Sequence, residues 1–275
     1  MKIWEALIYG LVAGLTGLLP VSFSGHAAVL QDAFALSPLT QGGGLYVRAA
    51  ITLGLSAALV LAFPGELQLT CGELARRPQR GKRARQPSPR RRAVLMGLLA
   101  LPIGLLSLIW CAAAERITRL SLIAVFFCLN GLVLFAVGRP GGQKDARALT
   151  LPDALLAGAT RLAAVLPGLS PLGLTLAVCR LRGLRTDFAL RFTAMLTLGF
   201  SLCEFVYRLL RAVIVGTFSA SLWLPMLVAL VASTVAGYFA LQYLKYLLHR
   251  EKLRVFSYYC WDAAVIALIL ALINA

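Results

Sequence analysis

Three stretches without a single charge decide what this chain can become. Ala93–Ala114 is uncharged for 22 residues, Leu120–Gly138 for 19 and Ala212–Leu244 for 33. A helix needs about 20 apolar residues to cross a bilayer. The first two stretches therefore read as one crossing each, and the third is long enough only if it turns. Gly216-Thr217-Phe218-Ser219-Ala220-Ser221 supplies that turn. Charged residues make up 14% of the 275-residue chain and hydrophobic ones 60%, far from the balance of a soluble domain. The expected fold is all-α, a polytopic transmembrane helical bundle.

The net charge of +16 points to a membrane surface rather than to nucleic acid, because of where the charge lies. Nine of the 27 basic residues fall between Arg76 and Arg92, in a stretch with three prolines and no apolar run. Such a segment reads as an irregular loop. Beside apolar spans it is read as cytoplasmic, by the excess of Lys and Arg on that side of membranes, with anionic lipid headgroups as neighbours. The cysteines at 71, 111, 128, 179, 203 and 260 form no CxxC pair and lie mostly in apolar segments, so neither a metal site nor a disulfide is expected. The N-terminal apolar run continues through Pro20 to Leu30 without a small-x-small cleavage site and is read as retained.

Spans are expected near 3–19, 45–63, 93–114, 120–138, 188–215, 222–247 and 255–275, six of them full crossings. Two apolar segments are interrupted in the same way. LPVSFSGH at 19–26 returns loosely as LPGLSPLGLT at 166–175, each about ten residues after a glycine, Gly10 and Gly158. Helix breakers at membrane depth are tolerated where the freed backbone is buried in protein or lines a cavity. Matching interruptions in two halves point to a site between inverted repeats. The chain is accordingly divided into a first repeat at about 1–138, with the basic loop at 65–92, and a second at about 151–275, within one membrane domain. The segments 20–26 and 167–175 are expected to meet in one cavity, with His26 facing Ser170 or Thr175.

These two motifs resemble those of the undecaprenyl-diphosphate phosphatase family, the bacitracin-resistance proteins of the bacterial envelope, which carry EGLTEFLPVSSTGH and PGxSRSGxT. Here the segments read AGLTGLLPVSFSGH, Ala13 to His26, and PGLSPLGLT, Pro167 to Thr175. The resemblance implies that fold, a polyprenyl diphosphate substrate, Mg²⁺ or Ca²⁺ as cofactor, and a bacterial inner membrane with the site facing outward. It also locates the departures. The family's two glutamates fall on Ala13 and Gly17, its serine on Phe23, its arginine on Pro171 and the following serine on Leu172. A glutamine before the second motif falls on Arg161, and a common glutamate on Arg191.

Those losses remove the groups that diphosphate hydrolysis needs. The transferred phosphoryl group requires charge stabilisation by metal and arginine, the nucleophile requires a positioned base, and carboxylates are the ligands that hold Mg²⁺ or Ca²⁺. No cofactor is therefore expected. The retained residues Ser22, Ser24, Gly25, His26, Gly168, Ser170, Gly173 and Thr175, joined by Arg161 and Arg191, are the candidate lipid-phosphate contacts. His26 is the one candidate acid or base. Arginine suits such a site because it is permanently charged and grips phosphate bidentately; snorkelling, or pairing with a carboxylate, is the alternative for both arginines. Among the acids, Glu204 stands four residues before Arg208 and reads as an intrahelical ion pair. Asp153 and Asp187 read as helix starts, Glu5 is too far from the motif to replace its glutamates, and Asp262 lies near a helix end.

The functional expectation is a divergent family member, a pseudoenzyme that binds polyprenyl phosphate or diphosphate during envelope lipid recycling, with translocation of the lipid a natural extension. The alternative is an active undecaprenyl-diphosphatase using relocated residues. Carrier lipid and membrane lipids are the implied partners, no nucleic acid is expected, and a homodimer is left open.

Overall fold

The computed structural model describes residues 1–65, 72, 88–138 and 142–274. Eleven α-helices account for nearly all of it: α1 Ile3–Gly17, α2 Phe23–Phe34, α3 Gly44–Ala62, α4 Pro89–Leu105, α5 Ser107–Ala114, α6 Leu120–Ala136, α7 Leu151–Ala164, α8 Pro171–Leu181, α9 Thr186–Val215, α10 Trp223–His249 and α11 Val255–Ile273. No strand is present among the described residues. Most of the basic run from Arg76, together with Cys71 and Arg139, lies outside them.

Among the described residues, three stretches are long and apolar enough to cross a membrane: Gly44–Ala62, Ala220–His249 and Val255–Ile273. The stretch expected as one span at 93–114 is bent by 42° between α4 and α5, and as a single broken span it makes a fourth. The break falls at Leu106, four residues past Pro102, where the Ile109 N–H bonds back only three residues to the Leu106 carbonyl. The count falls short of the six full crossings expected. α6 is a shorter apolar helix of 17 residues, and the 30-residue α9 carries Asp187, Arg191, Glu204, Arg208 and Arg211.

The outer surface is that of a chain built for lipid. Leu227, Val231, Val235, Phe239 and Tyr243 recur every four residues on α10 and are all exposed, while Ala229, Ala232, Ala236 and Ala240 on its other face are buried. Large residues outward and small ones inward is the membrane arrangement, because close backbone approach rather than hydrophobic burial holds such helices together. The two glycines upstream of the breaks serve that packing. A Cβ on Gly10 would lie 2.8 Å from the Ala229 carbonyl oxygen, and one on Gly158 would lie 2.4 Å from that of Ala100. Hydroxyl bonds add to it. Ser56 Oγ and Ser201 Oγ are 2.7 Å apart between α3 and α9, and Thr234 Oγ1 donates to the Gly54 carbonyl at 3.2 Å between α10 and α3.

The helix-start reading of Asp153 is met. It shares a capping box with Thr150 and also pairs with Arg182 at 2.6 Å and Lys144 at 3.4 Å. Asp187 sits in the first turn of α9. Glu5 is held at the start of α1 by the Lys2 and Ser37 N–H groups and the Ser37 hydroxyl. Asp262 is exposed on α11.

Candidate functional site

The two interruptions meet. Ser22 and Gly168 both adopt left-handed backbone, with φ of 74° and 107°, and the Gly168 N–H donates to Ser22 Oγ at 3.1 Å. Asn130 of α6 clamps the junction. Its Nδ2 donates to the Pro20 carbonyl at 2.9 Å, and its Oδ1 accepts from the Ser170 N–H at 3.0 Å. Ser170 Oγ donates to the Leu19 carbonyl at 3.3 Å and accepts from the Gly173 N–H at 3.1 Å, capping α8. The freed backbone groups are thus satisfied partly across the crossing and partly by Asn130, as backbone freed inside a membrane bundle requires. Room for a side chain is absent at the crossing: a Cβ on Gly25 would lie 2.9 Å from Gly168 Cα, and one on Gly173 would lie 2.8 Å from Pro20 Cβ.

Asn130 is fully buried, so Asn130→Leu should leave the Pro20 carbonyl and the Ser170 N–H without these partners. Each orphaned buried group costs about 1–3 kcal/mol. The expected result is a clearly lower unfolding midpoint in detergent, read by scanning fluorimetry. An unchanged midpoint would mean that the junction does not hold the halves together.

His26 does not face Ser170 or Thr175. Its Nδ1 lies 2.6 Å from the Ser22 carbonyl and its Nε2 lies 2.9 Å from the Tyr259 hydroxyl. Nδ1 therefore carries the proton and donates, and Nε2 accepts from Tyr259. The ring stands edge-on to Phe127 and stacks on Tyr259. Two residues are about 200° of helical turn, so with Ser24 turned to the cleft, His26 is turned away from it. Thr175 is engaged with Thr160 Oγ1 at 2.8 Å and the Pro171 carbonyl at 2.9 Å.

The cleft beside the junction holds about 180 Å³. Its lining includes the apolar Phe23, Val165, Pro167 and Pro171, the hydroxyl residues Ser24, Thr52, Thr197 and Ser201, and the charged Arg48, Glu115, Arg161, Glu204 and Arg208. Glu115, at the end of α5, accepts from Arg48 at 3.1 Å, from Arg208 at 2.8 Å and from Arg211. Glu204 accepts from Arg208 at 2.6 Å and from Arg161 at 2.7 Å. The expected Glu204–Arg208 pair within α9 is thus present, as part of a larger network. Arg161 is paired with a carboxylate, and its guanidinium also lies 5.2 Å from the centre of the Phe200 ring. Arg191 is elsewhere, lining a depression with Asp187, Lys245 and His249. It stands thirteen residues before Glu204 on α9, about 20 Å along the axis.

Arg48, Glu115 and Arg211 were not singled out from the sequence, and Arg208 only as a partner for Glu204. The signal was available: Arg48 is one charge inside an otherwise apolar span, and Arg208 and Arg211 follow Glu204 at one-turn spacings. An ionisable residue at membrane depth is a site candidate by default.

These residues do not fit a divalent cation. The positions matching the family's glutamates are Ala13, buried between helices, and Gly17, beside Leu55. Both cleft carboxylates are occupied by guanidinium groups. Among the described residues no group of three His, Cys, Asp or Glu side chains could hold a metal ion.

Interrupted helices crossing at the base of an ionic cleft, inside a bundle with an apolar exterior, define a multi-pass membrane protein. The chain belongs to the family described as Bacitracin resistance protein BacA, whose profile matches residues 6–266. Its relatives include proteins named undecaprenyl-diphosphatase from Methanobrevibacter smithii, 30% identical over 97% of this chain and 96% of that protein, and from Carboxydothermus hydrogenoformans, 31% identical over 98% of each. Another of that name, from Kineococcus radiotolerans, is 31% identical over 100% of this chain and 96% of its own.

Proposed function

We propose that this protein binds the phosphate headgroup of a polyprenyl carrier lipid in the cleft and does not hydrolyse it by the mechanism of its family. The observation that carries the reading is the charged lining of the cleft. Arg48, Arg161 and Arg208 line the cleft with Glu115 and Glu204, and Arg211, outside the lining, pairs with Glu115, so the whole network carries a formal charge of 4 − 2 = +2. Each guanidinium carries five N–H donors, more than two carboxylates can absorb, and a phosphate is the anion whose geometry matches them. The apolar lining residues Phe23, Val165, Pro167 and Pro171 suit the start of a prenyl chain. The cluster sits at the end of α3 and α9 remote from the basic loop, which supports a headgroup reached from the outer face of a bacterial inner membrane. The crossing of the two breaks supports a pair of inverted repeats, the architecture in which translocation of the lipid would occur.

Arg161 provides the test. Because Glu204 keeps Arg208, Arg161→Gln should fold and should weaken binding of a polyprenyl phosphate about tenfold to a hundredfold, since a charge-assisted hydrogen bond is worth roughly 1.5–3 kcal/mol. Arg161→Lys should recover part of the loss, because an ammonium lacks the planar fork. Equal binding by wild type and Arg161→Gln would leave Arg161 a purely structural partner of Glu204. The second reading, an active undecaprenyl-diphosphatase with relocated acids, is favoured by the presence of Glu115 and Glu204 in the cleft. It requires one of them to leave its arginines and act as a base.

A further inference from the structure

We propose that the seam between α4 and α9, at the end nearer the basic run, holds an anionic phospholipid of the surrounding membrane. Its phosphate lies among Arg90, Arg185 and Arg191, and one acyl chain lies in the apolar groove that continues from them. The proposal stands apart from the cleft and does not depend on what binds there. A depression of about 310 Å³ carries its first part. Arg90 is in the first turn of α4, Arg185 immediately precedes α9 and Arg191 is in its second turn. The acids beside them are Asp145 and Asp187, so guanidinium groups outnumber carboxylates by three to two. Asp145 already accepts from the Arg147 and Ala148 N–H groups at 2.8 and 3.3 Å, and Asp187 lies 3.8 Å from His249 Nε2. Among the described residues no neutral polar side chain lines the depression.

The groove is the second, independent part. Val94 and Met195 line both the depression and an apolar groove of about 170 Å³. From those two residues the groove runs along Gly97, Leu98 and Leu101 of α4 and Leu198, Gly199 and Leu202 of α9. Steps of three and four residues keep these positions on one face of each helix, and the seven residues from Val94 to Leu101 cover about 10 Å. Leu59, Val60 and Phe63, in and just after α3, complete the walls, and every described lining residue is apolar. Leu98 and Leu202 are 43% and 45% exposed, so the groove is open to the hydrocarbon around the bundle. A soluble anion has a use for the depression alone, whereas a lipid uses the depression and the groove together. Arg90 belongs to the basic run that the sequence reads as cytoplasmic, and basic pockets between helices on that side are where anionic headgroups settle.

The test titrates the full-length protein in detergent with phosphatidylglycerol or with phosphatidylcholine of the same acyl chains, and counts retained lipid by native mass spectrometry. One phosphatidylglycerol should be held about tenfold more tightly than phosphatidylcholine. Arg90→Gln combined with Arg185→Gln should weaken phosphatidylglycerol about tenfold or more, since each arginine near a membrane surface is worth roughly a fivefold change. Phosphatidylcholine should be unaffected. Both side chains are exposed, so the fold should survive; should the double variant misfold, Arg185→Gln alone should lose about fivefold. Arg250→Gln with Lys252→Gln removes the same charge just after α10, where it lines neither the depression nor the groove. That control should change binding by less than about twofold. An equal loss in the control would mean that a diffuse basic surface attracts the lipid, and the seam would be no site. Glycerophosphoglycerol, the headgroup without its chains, should compete poorly; competition equal to that of the intact lipid would remove the groove from the site. Tighter retention of polyprenyl phosphate than of phosphatidylglycerol would give the seam to the carrier lipid and overturn the proposed occupant.

Discussion

Purified protein given a polyprenyl diphosphate is expected to release phosphate at the background rate, with Mg²⁺, Ca²⁺ or Mn²⁺ present or absent. Hydrolysis needs a group to stabilise the transferred phosphoryl charge and another to orient the attacking oxygen. Losing one such donor commonly costs a factor of about 10²–10³. Here the motif positions read Ala13, Gly17, Phe23 and Pro171. His26, the one retained acid or base, is turned to Tyr259 with its free nitrogen occupied. The remaining candidates, Glu115 and Glu204, are each held by two or more guanidinium groups. A carboxylate so paired is a weak base and a poor cation ligand. Metal-dependent turnover that a chelator abolishes would overturn this and establish the relocated-acid alternative. Turnover that survives chelation but is lost in Glu204→Gln would assign the base to Glu204.

What the sequence revealed and what it withheld follow from the same physics. The helices and the two interruptions were legible because apolar length and backbone-breaking residues are local properties. α1, α3, α6, α10 and α11 lie close to the expected apolar spans, and Pro20 and Pro167 mark breaks that touch. The bend between α4 and α5 falls at Leu106, inside a 22-residue charge-free run whose composition reads as one span. The direction of His26 was not legible. Its motif gives its neighbours in the chain, whereas its partner Tyr259 lies 233 residues away on a helix that carries no motif. The ionic cluster was the main omission. Its members come from α3, α5, α7 and α9, and no spacing in the chain joins Arg48 to Glu115 or Arg161 to Glu204. Each is a single charged exception within its own span, and only their convergence makes a candidate site.

That convergence makes Glu115→Ala the substitution with the largest expected effect on stability. Glu115 is the shared acceptor of Arg48, Arg208 and Arg211, and its side chain is 7% exposed against 13% and 8% for Arg48 and Arg208. Removing it takes that carboxylate from Arg48 and Arg211 and leaves Arg208 with Glu204 alone. Breaking a buried ionic group by deleting one partner costs about 3–5 kcal/mol, a large share of the total stability of about 5–15 kcal/mol typical of a folded protein. The α5 segment that ends at Glu115 meets α4 across the bend at Leu106, so the latch to α3 and α9 is what fixes it over the cleft. Folded yield in detergent should fall sharply, and the thermal midpoint by size-exclusion after heating should drop by many degrees. Two controls separate charge from packing. Glu115→Ala combined with Arg48→Met removes one of the stranded cations and should recover part of the loss, while the exposed Asp262→Asn should change nothing measurable. Inorganic phosphate should also raise the midpoint of Glu115→Ala more than that of the wild type, because the anion can occupy the place the carboxylate left. A Glu115→Ala protein as stable as wild type would show that the arginines are solvated separately and that the network does not hold the cleft together.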